Sequence, residues 1–215
     1  MSTSKADRVH HPIFARLYQR MSPAIEKAGG AEHRDRLLTG LTGTVVEVGA
    51  GNGLNFAHYP ETVTEVFAVE PEDYLRACSE DAAAEARIPV RVVDGTASRL
   101  PLADVSVDGG VASLVLCSVN DQAEALAELH RVIKPGGELR FYEHVLANNP
   151  RIATWQRRFD PLWTRMVGGC HLIRNTEQAI TDAGFVIEQN DRFRFAPCAL
   201  SKLSAEHILG RARRR

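Results

Sequence analysis

The stretch Thr44-Val45-Val46-Glu47-Val48-Gly49-Ala50-Gly51-Asn52-Gly53 leaves few folds open. Val45, Val46 and Val48 are β-branched and apolar, as a parallel strand covered on both faces requires. Gly49, Gly51 and Gly53 then fall at alternate positions. Glycine accepts positive φ and carries no Cβ, so the backbone can turn tightly there and a ligand can come close. A helix is expected from Leu54, with its first amides pointing at that ligand. Alone, such a loop is also what any tight turn looks like.

The next two strand ends sharpen the reading. Val63–Val69 reads as a strand stopping at Glu70-Pro71, and Val90–Val93 as another stopping at Asp94-Gly95. Glu70 lies about twenty residues past the glycines, the spacing at which a carboxylate accepts ribose hydroxyls. Asp94 can accept the exocyclic amine of an adenine, with the amides of Gly95, Thr96 and Ala97 along its edge. A dinucleotide loop would need Gly-x-Gly-x-x-Gly. Here Leu54 takes the last of those places, and Glu47 precedes the glycines. A carboxylate at that point opposes a pyrophosphate and suits an ammonium. The ligand expected is an adenosine bearing an amino acid, S-adenosylmethionine (SAM).

Glu47-x-Gly49-x-Gly51-x-Gly53, Glu70, Asp94 and the later Leu-x-Arg-Val-Ile-Lys-Pro-Gly-Gly resemble the class I SAM-dependent methyltransferases, over roughly residues 40 to 195. Further matches are similar to the alkyl-thiol S-methyltransferases within that family. They are Asn55-Phe56-x-x-Tyr59-Pro60, Leu114–Val119, Tyr142-Glu143-His144-Val145, Asp160-Pro161-Leu162-Trp163 and Gly169-Cys170-x-Leu172-x-Arg174. The resemblance implies an α/β, Rossmann-like three-layer sandwich with a mostly parallel seven-stranded sheet and helices on both faces. It also implies a SAM loop made by Glu47, Gly49, Ala50, Gly51, Gly53 and Asn55, with Glu70, Pro71, Asp94, Gly95, Thr96, Ala97, Ser113 and Leu114 completing the cofactor site. S-adenosylhomocysteine would be the product.

With 215 residues the chain suffices for one such domain and not for two ordinary ones. A net charge of -1 gives no field favouring nucleic acid. No Asn/Asp-Pro-Pro-aromatic motif follows the fourth strand, so nucleic-acid methylation is not expected. Arg211-Ala212-Arg213-Arg214-Arg215 is the one basic cluster and reads as a frayed terminus. Cys78, Cys117, Cys170 and Cys198 form no Cys-x-x-Cys pair, so no metal is expected. No apolar leader or membrane-length stretch is present, from which a cytoplasmic location is expected. The expected partner is a small molecule, and the chain a monomer or weak dimer.

Residues 1–10 read as disordered. His11–Ala28 reads as helical, with Ser22 capping a second helix begun at Pro23 and a third over Ala31–Leu38. In the resembled family such a 1–40 segment closes over the cofactor and helps form the acceptor pocket. Phe14 and Tyr18 belong there, although plain packing would explain them too. In the 41–215 domain, Val105–Leu116 carries the fourth strand. Its tip at Ser113 and Leu114 should lie under the sulfonium, because ligands sit outside the carboxyl ends of parallel strands. Cys117 is either near the methyl donor or a small buried residue. Asp121 opens a helix that Lys134-Pro135-Gly136-Gly137 ends, and Glu138–Tyr142 is the fifth strand. It ends at Glu143-His144, where His144 can take a proton near neutral pH.

Residues 150–172 read as an inserted lid. Trp155, Phe159 and Trp163 recur there at helical spacing, as an acceptor pocket or as core, and a loop through Cys170 and His171 follows. Strand six begins at Phe185 and strand seven at Phe193, with a helix or tail over Ser201–Arg211. His144, Asp160, His171 and Tyr18 are the candidate catalytic groups. In an apolar pocket they fit a lipophilic thiol, and they could equally serve an oxygen or nitrogen acceptor: a quinone, a lipid headgroup or a natural product. A SAM-binding regulator without turnover is the reading from another class.

Overall fold

A computed structural model describes residues 11–198 and 200–215. The expected disorder of residues 1–10 lies outside them. Seven strands form one sheet: β1 (Gly43–Val48), β2 (Val63–Val69), β3 (Val90–Val93), β4 (Val107–Ser113), β5 (Ile133–His144), β6 (Phe185–Arg194) and β7 (Glu206–Arg214). Their order across the sheet is β3-β2-β1-β4-β5-β7-β6. The first five are parallel, and β7 runs antiparallel to both its neighbours.

Alternation along β1 builds the layers. Val46 and Val48 enter a core with Leu126, Leu129, Phe141 and Ile208, while Val45 enters one with Leu37, Leu41, Phe56 and Leu209. Side chains on a strand alternate between faces, so these two cores are the two sides of the sheet. Helices α1 (Pro12–Ile25), α2 (Ala31–Leu38), α3 (Asp73–Ala84), α4 (Gln122–Val132), α5 (Pro150–Met166) and α6 (Thr176–Asp182) cover it. Asp121, Asn149 and Asn175 cap α4, α5 and α6 by accepting amide hydrogen bonds, as short polar side chains do at helix starts. None of the described helices is long and apolar enough to cross a membrane.

Several local expectations are corrected. No helix starts at Leu54; a single 3-10 turn, Phe56–His58, follows the glycines. Asn55 and Tyr59 on either side of it are pinned to Glu47, and Pro60 prevents continuation. Ser22 caps nothing: α1 runs through Pro23, and Ser22 Oγ donates back to the Tyr18 carbonyl over 2.7 Å. Asp160-Pro161 does not interrupt α5. β5 begins at Ile133, five residues early, because Val107 pairs with Ile133 before the ladder resumes at Glu138.

The largest correction is at the C-terminal end. No strand starts at Phe193, and residues 206–214 are neither helix nor tail but an interior strand. Ile208, Leu209 and Ala212 are buried, and Gly210 passes so close to β6 that a Cβ there would lie 2.1 Å from the Gln189 carbonyl oxygen. The arginines are held. Arg213 pairs with Glu188 at 2.6 Å and donates to the Gly136 carbonyl, and Arg214 donates to the Ile133 carbonyl.

Candidate functional site

Four segments meet at the carboxyl edge of β1, β4 and β5. The first is the glycine loop. Gly49, Gly51 and Gly53 all take positive φ, of 62°, 58° and 79°. A Cβ on Gly49 would lie 2.3 Å from Val115 Cγ2, and one on Gly53 would lie 2.7 Å from the Ala82 Cβ, so both glycines are needed for packing. Gly51 has space: its nearest neighbour would be Tyr18 Cε1 at 3.6 Å. Its amide donates to Glu70 Oε2 over 2.7 Å, and Glu70 Oε1 accepts from the Glu72 amide. Burial pushes the Glu70 carboxyl above the usual carboxylate range.

Glu47 lies below the loop, 2% exposed. Its oxygens accept from Asn55 Nδ2 at 2.8 Å and from the Tyr59 hydroxyl at 2.7 Å. Complete burial raises its pKa to about 7 against the pull of those two donors. With one donor on each oxygen, it is the base on which Asn55 stands. Asn55 in turn accepts from Arg34 Nη1 over 2.7 Å. Arg34 also pairs with Glu26 at 3.1 Å and reaches Ser113 Oγ at 3.5 Å. This buried guanidinium joins the helical N-terminal segment to the tips of β1 and β4. Sequence reasoning missed it, since an arginine in an otherwise polar helix carries no signal.

The second segment follows β4. Leu114 takes φ 58°, a left-handed conformation unusual for a branched side chain. The turn it makes aims three amides at one carboxylate: Val115 N and Leu116 N donate to Glu143 Oε1, and Cys117 N donates to Oε2, over 2.9 to 3.1 Å. Glu143 is therefore spent on shaping this loop. Its burial lifts its pKa well above the usual range despite the three donors.

The third and fourth segments are the end of β5 and the loop after α5. Cys117 Sγ and Cys170 Sγ are 3.7 Å apart, and each lies 3.6 Å from His144 Nδ1. Both cysteines are buried. The His144 ring lies tilted by 46° against His207 with centroids 4.5 Å apart, and His207 Nδ1–H donates to the Ala205 carbonyl. Burial, then the charge His144 can carry, lowers His207 to about 3, so it is neutral. His171 N donates to the Cys117 carbonyl, which ties the loop to the β4 turn.

Of the other candidate residues, Asp160 is buried and fully used: Oδ1 accepts from the Leu172 amide at 2.6 Å and Oδ2 faces His171 Nδ1 at 3.0 Å. Phe14 packs on Gly168 and stacks with Tyr18, placing α1 over the glycine loop and the Cys170 loop together. Tyr18 is held protonated, its pKa raised by burial. Trp155 and Phe159 stack on each other at 5.5 Å on the exposed side of α5, so core packing does not explain them. Trp163 is half-buried, with an indole N–H that lacks a partner among the described residues. Asp94 is largely exposed and pairs with Arg76, which also donates to the Glu70 carbonyl. Thr96 bonds to Ser98, Gly95 packs between Val69 and Pro101, Ala97 lies against the core and Pro71 leads into Glu72, the cap of α3.

Known proteins resemble this chain over most of its length. Residues 46–141 match the methyltransferase domain family. The thiol S-methyltransferase TMT1B of Rattus norvegicus is 33% identical over 208 residues, spanning 93% of this chain and 82% of that protein. Its namesake in Homo sapiens is 36% identical over 182 residues, 81% of this chain and 73% of that protein. A Thermotoga maritima crystal structure, described as a SAM-dependent methyltransferase and possible histamine N-methyltransferase, superposes with a TM-score of 0.68 at 23% identity. It covers 94% of this chain and 98% of its own, a likeness of fold.

Proposed function

This chain belongs to the class I SAM-dependent methyltransferases, and we propose that it methylates the sulfur of a small lipophilic thiol. The residues present suit SAM. Gly51 leaves the approach to the loop open, Glu70 and Asp94 stand at successive strand tips, and Asn52 Oδ1 is a buried acceptor with no partner among the described residues. Glu70 would take the ribose hydroxyls, Asp94 the adenine amine, and Arg34 the carboxylate of the amino-acid end. When bound, SAM supplies a methyl group already activated on a cationic sulfur.

The protein's task is then to hold a nucleophile in line, close to van der Waals contact, and to keep water away. Phe14 and Tyr18 on α1 roof the cleft beside the two sulfurs and the imidazole. The buried group of two thiols and an imidazole, with Phe14 packed on Gly168 beside the Cys170 loop, carries the thiol reading. A thiol with a pKa of about 8.5 already supplies some thiolate at neutral pH, whereas a phenol or alcohol needs a firm base. The carboxylates of the segments that carry the cysteines and His144, Asp160 and Glu143, have donors on both oxygens. The exposed Trp155–Phe159 stack and the exposed Ile13 and Leu17 of α1 add apolar surface that suits a lipophilic acceptor.

Labelled SAM with matched alkyl thiols, phenols and amines tests the proposal. Transfer to thiols is expected. Transfer to phenols or amines with none to thiols overturns it.

A further inference from the structure

Cys117, His144 and Cys170 come from three separate elements, and their ligand atoms lie within 4.8 Å of one another. Tetrahedral zinc, with Zn–S near 2.3 Å and Zn–N near 2.05 Å, sets its ligands apart by about 3.8 Å for two sulfurs and about 3.6 Å for sulfur and nitrogen. The protein shows 3.7 Å between the sulfurs and 3.6 Å from each sulfur to His144 Nδ1. Three separations, two kinds of atom pair, match one metal-centred tetrahedron with its fourth corner open. Two cysteines and one histidine with an open position is also a donor set of catalytic zinc. The two sulfurs touch without a bond between them, both cysteines being free.

We propose that Cys117, His144 and Cys170 bind a zinc-class divalent cation, and that the substrate thiol is its fourth ligand. The first half stands on these distances alone; the second rests on the thiol acceptor proposed above.

The surroundings suit both halves. Each ligand is held from behind: Cys117 by its amide on Glu143, Cys170 by its amide on the Val167 carbonyl, and His144 by the ladder to His207 and by ring contact with it. These bonds fix the backbone from which each ligand projects. The site is also next to the methyl donor's place, because Val115, two residues before Cys117, packs on Gly49 of the cofactor loop. On coordination the thiol releases its proton to solvent and stays as a thiolate at a pH where the free thiol is mostly protonated. A sulfur lone pair then forms the new S–CH3 bond. The bond from the methyl carbon to the sulfonium breaks, and its electron pair goes to that sulfur, giving S-adenosylhomocysteine. The product is a neutral thioether, a weaker ligand than a thiolate, which favours its release. No electron is gained or lost by the metal, as zinc requires.

The full chain, purified under reducing conditions and stripped with a chelator, is titrated with Zn2+ against a chromophoric competitor and separately with Co2+. One ion per chain is expected, with a thiolate-to-cobalt charge-transfer band. Cys117→Ser and Cys170→Ser should each weaken the band, the double variant should abolish it, and His144→Ala should loosen Zn2+ by at least about tenfold. Circular dichroism identifies any variant that fails to fold, and the native protein's own titration decides the question regardless. Absence of binding by native protein, a band that survives the double variant, or a Cys117–Cys170 disulfide as the resident state overturns the site. An alkyl thiol should strengthen the cobalt band and block exchange. Thiol methylation at an undiminished rate in metal-free protein overturns the activating role while leaving the acceptor reading intact. A band that responds to thiol without any methyl transfer supports the site and rejects the acceptor reading.

Discussion

Arg34 Nη1 donates to Asn55 Oδ1 over 2.7 Å, which fixes the amide so that its nitrogen faces Glu47. Replacing Arg34 with Met would leave Glu26 and Asn55 without their partner in a buried setting. Removing one member of a buried pair costs about 3 to 5 kcal/mol. Chemical denaturation should show a loss of that order for Arg34→Met and a smaller one for Arg34→Lys, which keeps the charge. Calorimetry should show both variants binding SAM at least about tenfold more weakly, since neither offers the planar fork that suits a carboxylate. Unchanged affinity in both would remove Arg34 from the cofactor site.

Glu47 predicts a pH dependence with a definite sign. Its pKa is about 7 in the folded chain and 4.5 when exposed. Between those values the folded state holds a proton that the unfolded state has lost, so stability falls as pH rises through this window and levels off above it. The size is about 3 kcal/mol. SAM affinity should move the other way, rising towards pH 7 as the buried carboxylate ionises beneath a cationic ligand. Glu47→Gln should make both profiles shallower, leaving in the stability profile the share of Glu70 and Glu143, measured by urea unfolding and calorimetry at pH 5 and 8. Profiles that keep their slope would show that another group titrates.

At the two other strand tips, effects on binding and folding should separate. Asp94 is exposed, and its pairing with Arg76 contributes little, about 0.5 kcal/mol. Asp94→Ala should therefore leave the melting curve nearly in place while weakening SAM about tenfold, the loss of one hydrogen bond to a charged group. Gly51→Val should do more, since a branched side chain would be forced into φ 58° and onto the ligand's path.

Gly210 tests the corrected C-terminal strand. A Cβ there would stand 2.1 Å from the Gln189 oxygen and 2.7 Å from Phe141 Cζ. Gly210→Val should unfold the domain or cost more than about 3 kcal/mol, read by thermal melting. Tolerance of the valine would restore the helix or tail reading of this segment.

The strand-and-loop frame of the proposed cofactor site was legible because its residues follow one another along the chain. Strand, glycines and acids at strand tips recur at spacings that the fold imposes. Glu47 was legible as an acid, whereas its bonds to Asn55 and Tyr59 are visible only in the structure. The acceptor half was less legible. Cys117, His144 and Cys170 are separated by 27 and 26 residues, and no local spacing announces three strand and loop ends that the sheet order brings together. Arg34 was hidden for the same reason. The strand at 206–214 was misread because its arginines do reach solvent and mask the buried Ile208, Leu209 and Ala212 between them, while Glu188 pairs with Arg213 at the rim.

That strand has a consequence for biosynthesis. β7 is made after β6 yet lies between β6 and β5, so β6 has no edge to join until its successor has been translated. The five parallel strands can assemble as the nascent chain emerges, but the antiparallel pair can take its place only once β7 has been made. His207, at the start of β7, arrives beside His144 only in that last event. A ribosome-stalled polypeptide ending before residue 206 would therefore expose the open edge of β5, and chaperone recruitment should be greatest at that length.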